Sequence, residues 1–325
     1  RKINNKSDFS KNVLTLVSGT ALAQFIPIAI SPILTRIYTP DEFGIYAIFI
    51  SIVMIFSVIS NGRYELAIVL PEKDEDAINI FAIGLIINFL LFVILSFIIY
   101  FFNSIIIDKI GSNDLQLWLY FIPFSVFIIG LFNLLKYFNI RKKNYRDISR
   151  ATIIKSIAIS IIQLFLGYLK TGVGGLINGY FFSQLFANLR LAKNIFSNNL
   201  LKKIKKNEII RLGLKYNKFP KFSVWAVLAN TFSYQYFNIL ISSLYSITIL
   251  GFYSFSIRIL GMPINLISNS FGQVFFQTAT EEKNRFGNAK KSFNSTLNKL
   301  LSIAIPFFTV LYFVIVDIFY FVFGV

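Results

Sequence analysis

Apolar runs of roughly 20 residues recur along this chain, each long enough to cross about 30 Å of hydrocarbon at 1.5 Å per residue. They predict nine membrane helices, near residues 12–35, 43–61, 77–102, 115–138, 150–169, 172–191, 223–243, 247–275 and 296–317. Strand-type alternation for a lipid-facing barrel is absent. The expected fold class is therefore all-α, a polytopic transmembrane helix bundle. The first run follows Arg1, Lys2, Lys6 and Lys11 as a signal peptide would, but it is long, ends in Thr35-Arg36 and leads at once into another span, so it reads as a retained helix.

The polar positions inside these runs are not scattered. Steps of three and four residues along span eight give Gly251, Ser254, Arg258, Gly261, Asn265, Ser268 and Gly272, while Phe252, Phe255, Ile259, Leu260, Leu266 and Ile267 take the other faces. Close helix packing explains the glycines and serines but not Arg258 or Asn265. Arg258 lies about ten residues into its span, or roughly 15 Å deep at helical rise. An arginine there costs about 2.5–3.5 kcal/mol on insertion scales and normally faces a bundle interior or watery cavity. Thr231, Gln235, Asn238 and Ser242 share one face of span seven, and Ser156, Ser160, Gln163 and Gly167 share one of span five. Gln24, Asn88, Asn178 and Gln184 are single amides, read first as interhelical glue. Arg63-Tyr64-Glu65 closes span two with either a functional Arg and acid or a pair that neutralises itself.

The chain also repeats. Residues 37–46 (IYTPDEFGIY) align without gaps on 244–253 (LYSITILGFY), an offset of 207 residues that superposes Tyr38 on Tyr245, Gly44 on Gly251 and Tyr46 on Tyr253. Six spans separate the copies, an even number, so both halves face the same way, as in transporters built of parallel repeats. Arg258 falls on Ser51 and Glu65 on Gly272, so the halves differ in charge. The expected organisation is a first lobe over 1–196, a basic linker over 197–222 and a partial second lobe over 223–325, truncated relative to a second set of six helices. Within the linker, Ser197 to Lys218 reads as a basic amphipathic helix on the cytoplasmic surface.

Composition sharpens this picture. The net charge is +17 from 32 Lys and Arg against 15 Asp and Glu. The N-terminus and the even-numbered loops are assigned 28 of the 32, with Arg36, Lys109 and Lys170 on the other side, which places the N-terminus in the cytoplasm. The clusters at 141–146 and 202–206 then read as topology determinants that also touch lipid headgroups, not as a nucleic-acid surface. Neither Cys nor His occurs, so disulfides, thiol chemistry and the commonest general base are excluded, and no cofactor or metal site is expected. Thr39-Pro40-Asp41-Glu42 is read as a capped helix start and not as paired catalytic acids, and Pro71 to Asp76 likewise. Gly172-Val173-Gly174-Gly175 lacks the strand and the Lys-Ser/Thr of a phosphate loop and reads as a turn.

Several stretches carry a family resemblance: SGTALAQ (18–24), ILTRIYTPDEFGIYA (33–47), RYELAIVLP (63–71) and GFYSFSIRILGMPINLISNSFGQVFFQ (251–277). With them the chain resembles the Wzx-type oligosaccharide-lipid flippases of the multidrug/oligosaccharidyl-lipid/polysaccharide exporter superfamily. The resemblance implies a MATE-like two-lobed fold of 12 to 14 helices in a bacterial inner membrane. It also implies movement of undecaprenyl-diphosphate-linked oligosaccharide, such as an O-antigen unit, from the cytoplasmic to the periplasmic leaflet. Lipid-linked oligosaccharide, membrane lipids and the polysaccharide polymerase machinery are the implied partners. Arg258 matches the second-lobe cavity arginine that meets diphosphate or acidic sugar, and Arg36 and Arg63 match basic positions at the ends of the first two helices. Gln235, Asn238, Asn265 and Glu65 complete the candidate substrate-binding set. Competing readings are a flippase for another lipid-diphosphate such as the peptidoglycan precursor, a drug or cation antiporter of the same fold and, least favoured, a membrane glycan polymerase.

Overall fold

The computed structural model describes residues 18–110, 113–196, 200–257 and 286–323, with positions 261, 275, 279 and 282 between the last two stretches. Among them no strand occurs. The helices are α1 (Ser18–Ile37), α2 (Pro40–Ile59), α3 (Tyr64–Ala67), α4 (Asp74–Ile110), α5 (Gln116–Arg141), α6 (Tyr145–Tyr168), α7 (Val173–Phe196), α8 (Lys206–Lys215), α9 (Val224–Leu244), α10 (Ile247–Ile257) and α11 (Lys290–Phe323). Of the described residues' helices, six are long and apolar enough to cross a membrane: α1, α2, α5 and α6 in full, with Asp74–Asp108 of α4 and Lys290–Asp317 of α11. The chain is an all-α polytopic bundle whose outward sides carry large apolar groups such as Phe89, Phe97 and Phe101 on α4.

Local chemistry fixes where these helices start. Thr39 caps α2: its hydroxyl accepts from the Glu42 N–H at 3.3 Å, and the Glu42 carboxylate accepts from the Thr39 N–H at 2.8 Å. Pro40 takes the first helical position, where its missing N–H costs nothing. The capped-start reading of Thr39-Pro40-Asp41-Glu42 holds for Thr39 and Glu42, while Asp41 has a second task described below. At the start of α4, the acids from Pro71 to Asp76 do more than oppose a helix dipole. Asp74 pairs with Arg141 and Lys142, Glu75 with Lys203 and Asp76 with Arg211. These pairs tie α4 to the end of α5 and to the linker.

The linker is helical in pieces: a 3-10 turn at Leu200–Lys203, then α8, then a π-helical turn at Phe219–Ser223 that leads into α9. Leu212 of α8 is buried against the first half, and the Tyr64 hydroxyl donates to the Gly213 carbonyl at 2.8 Å.

Of the single amides read as glue, Asn88 bonds across helices, and Asn61 and Asn188, which the sequence did not single out, do the same. Asn61 after α2, Asn88 on α4 and Asn188 on α7 each donate a side-chain N–H at 2.9 Å, to the carbonyls of Gly130, Phe127 and Ile128 on α5. Gly130 has no Cβ because the Asn88 amide occupies that space. The polar stripe of α6 is also packing: Ser156, Ser160, Gln163 and Gly167 are buried, Gln163 donates to the Leu176 carbonyl, and Gly167 abuts Ile37 and Tyr38.

Candidate functional site

The two copies of the repeat touch each other through equivalent residues. A Cβ at Gly44 of α2 would strike the Ile247 carbonyl, and a Cβ at Gly251 of α10 would strike the Pro40 carbonyl. Ile247 is the repeat equivalent of Pro40, and Gly251 of Gly44, so the contact is reciprocal. The Thr248 hydroxyl donates to the Asp41 carboxylate, and these two residues are equivalents as well. An approximate two-fold relation between the helix starts therefore passes through this crossing. Phe43 and Phe255 pack beside it with ring centroids 4.0 Å apart.

Farther along α2, the Asn238 amide of α9 donates to the Ser51 hydroxyl at 2.8 Å. The stripe Thr231, Gln235, Asn238 and Ser242 is the sheltered side of α9, whereas Phe232, Tyr234, Tyr236 and Phe237 are exposed. Gln235 and Asn238 are half-buried at the junction of the halves.

At the far end of α2, Gly62 and Arg63 have φ of 57° and 63°, successive left-handed residues that turn the chain into α3. Arg63 Nη1 lies 3.2 Å from Glu65 Oε1, with the Glu65 side chain 5% exposed. The second carboxylate oxygen and Arg63 Nε are buried without a hydrogen-bond partner. Burial raises the Glu65 carboxyl above its ordinary value, outweighing its own backbone hydrogen bond and the Arg63 charge, which lower it. The self-neutralising reading of Arg63 and Glu65 thus describes their geometry.

Sequence reasoning missed a second group of charges. Lys136 and Lys155 were counted with the loop after span four, but they lie within α5 and α6. Both are half-buried. Lys155 Nζ sits 5.7 Å from the Phe132 ring centroid and 6.0 Å from that of Tyr180. Lys155 stands five residues, about 7.5 Å, past Arg150, where the predicted span begins, so its stem can lean toward the interface. Each cation–π contact at the outer limit of about 6 Å returns roughly 0.5–1 kcal/mol. Among the described residues neither lysine has an ion pair; Glu65 pairs with Arg63 and Asp147 with Arg190. The available signal was the same as for Arg258, a basic residue inside an apolar run.

The candidate residues fall into separate places. Arg36 is exposed in the last turn of α1, next to the crossing. Arg63 and Glu65 lie beyond the opposite end of α2, about 30 Å away along a 20-residue helix. Gln235 and Asn238 sit between those ends. Arg258 and Asn265 lie outside the described residues.

Comparison with known proteins completes the assignment. No curated protein matches the chain in sequence. Among solved structures, the fold matches an inward-facing multidrug resistance MATE family transporter of the MOP superfamily, with a TM-score of 0.65, 14% identity and coverage of 95% of this chain and 72% of that one. The likeness is of fold, and it agrees with the MATE-like expectation. A model of the polysaccharide biosynthesis protein family matches residues 33–325. That match takes in the crossing, the linker and both groups of interior charges, and the chain belongs to the polysaccharide biosynthesis protein family, with the fold of a MOP-superfamily transporter.

Proposed function

We propose that this protein is a flippase that carries undecaprenyl-diphosphate-linked oligosaccharide from the cytoplasmic to the periplasmic leaflet by alternating access. The observation that carries the reading is the pairing of a polysaccharide-biosynthesis family with a transporter fold. The family supplies the glycan and the fold supplies the movement. The reciprocal crossing at Gly44 and Gly251 gives two like halves a shared contact about which to rock. On the charge distribution of the loops, that crossing lies at the periplasmic side and the acid-rich start of α4 at the cytoplasmic side.

In this reading Arg258 meets the anionic headgroup through charge and paired hydrogen bonds, with Asn265, Gln235 and Asn238 contacting the cargo along the junction. Arg63, Glu65 and Arg36 then guard the two ends of the path. A drug or cation antiporter is disfavoured by Lys136 and Lys155, which repel a cationic cargo. The test is export of lipid-linked glycan in cells that depend on this protein. Arg258→Ala and Arg258→Lys should both cripple export while leaving membrane insertion intact, and normal surface glycan in both variants would sink the assignment of Arg258. Failure of the wild type to move any lipid-linked glycan would sink the flippase reading itself.

A further inference from the structure

We infer that the two halves move relative to each other by bending at one turn, Phe219–Ser223, with the linker fixed to the first half and α9 swinging from the linker's end. The purpose of this motion rests on the alternating-access reading, but the joint stands on its own geometry. The linker is fastened at several points. Asn79 of α4, 1% exposed, donates from Nδ2 to the Lys203 carbonyl at 3.2 Å and accepts at Oδ1 from the Lys205 N–H at 2.8 Å. The pairs Glu75 with Lys203 and Asp76 with Arg211, the hydrogen bond from Tyr64 to Gly213 and the buried Leu212 continue the fastening. Tyr216 and Phe219 still pack on the same core, whereas Lys221 and Phe222 are exposed.

The turn is built to yield. The Val224 N–H donates to the Phe219 carbonyl, the wide spacing of a π-helix, and Pro220 within the turn has no N–H to give. Neither Lys218 before the turn nor Ser223 before α9 supplies a side-chain cap. Proline alone does not account for the widening, because Pro40 takes the first turn of α2 with a capping box and ordinary α geometry. Single π turns gather at functional sites and at sharp kinks. Beyond the turn, the buried residues of α9 are Val224 at its foot and Ile241 and Ser242 at its far end, where Ile241 joins the core of Ile45, Ile48 and Leu250 beside the crossing. When the crossing parts, those far contacts part with it, and the halves remain joined through the chain at the foot of α9. A bend of about 20° there, the threshold of a sharp kink, carries the end of a helix about 30 Å long through about 10 Å.

The chain has no cysteine, so introduced pairs carrying spin labels report single distances. Arg146→Cys with Lys206→Cys spans the first half and the linker, and Lys206→Cys with Leu244→Cys spans the linker and the far end of α9; all three positions are exposed. Both pairs are measured on the full chain in lipid vesicles, with and without undecaprenyl diphosphate bearing a neutral disaccharide, beside an assay of that lipid's movement. The first pair should keep one distance, and the second should shift by about 10 Å or hold two distances. Pro220→Ala restores an N–H that closes an α turn. It should cut the second pair to one distance and slow lipid movement by about five- to tenfold, the scale of one hydrogen bond, without lowering the unfolding temperature. Displacement in the first pair, or one unchanging distance in the second, overturns the hinge whether or not the lipid moves. Two distances in the second pair without any lipid movement keep the hinge and sink the flippase reading. Two distances persisting in Pro220→Ala overturn the role of the turn. If that variant does not fold, the two pairs in the otherwise native chain decide alone.

Discussion

The crossing of α2 and α10 and the interior between α5, α6 and α7 are built in opposite ways. At the crossing, backbone meets backbone across two glycines, and the one polar pair, Asp41 with Thr248, is bonded. In the interior, Lys136 and Lys155 have no ion pair among the described residues, and Lys155 leans on two aromatic rings. The first is specified by backbone shape, the second by the side chains that surround a charge.

The sharpest way to break this comparison is to add a methyl group at the crossing. Gly44→Ala or Gly251→Ala drives Cβ into a carbonyl of the facing helix, and overpacking costs about 1–3 kcal/mol, with rigid backbone at the upper end. The expected outcome is loss of most folded protein, read by size-exclusion yield and thermal unfolding. Wild-type stability in either variant would mean that the two helices do not rest on each other.

A milder intervention uses the absence of cysteine from the chain. In the double variant Asp41→Cys with Thr248→Cys, oxidation should bridge the crossing, stop transport and be reversed by reductant. Unchanged transport by the cross-linked protein would show that this end stays shut throughout the cycle.

The smallest effect concerns Glu65, the charge that does have a partner. Its carboxyl is raised in the folded state, so the native protein holds a proton that the unfolded chain has already released. Stability from this group therefore falls as pH rises from the ordinary carboxyl value to the raised one. Glu65→Gln should flatten the dependence of unfolding temperature on pH across that window, and an identical slope in both proteins would remove Glu65 from the account.

Much of this was legible in the sequence, for reasons that differ by residue. Thr39, Pro40 and Glu42 act within four positions of each other, so their cap is written locally. Gly44 and Gly251 were visible as a repeat, but that they meet each other is a fact of the folded chain. The amide of Asn88 reads as glue from sequence, while Asn61 and Asn188 and their common target on α5 do not, because the partners lie 39 to 69 residues away. Lys155 was readable in principle. Counting it with the neighbouring loop cations hid the feature that sets it apart, its place within α6 beside Phe132 and Tyr180. The left-handed backbone of Arg63 carries no sequence signal apart from the preceding Gly62.

Those three asparagines have one more consequence. Each comes from a different element, and all three grip carbonyls within one turn or so of α5. In hydrocarbon a released amide finds no water to bond, so α5 resists sliding past its neighbours. The first half then travels as a single block, like a keel with three ribs, and displacement between the halves has to be absorbed elsewhere along the chain.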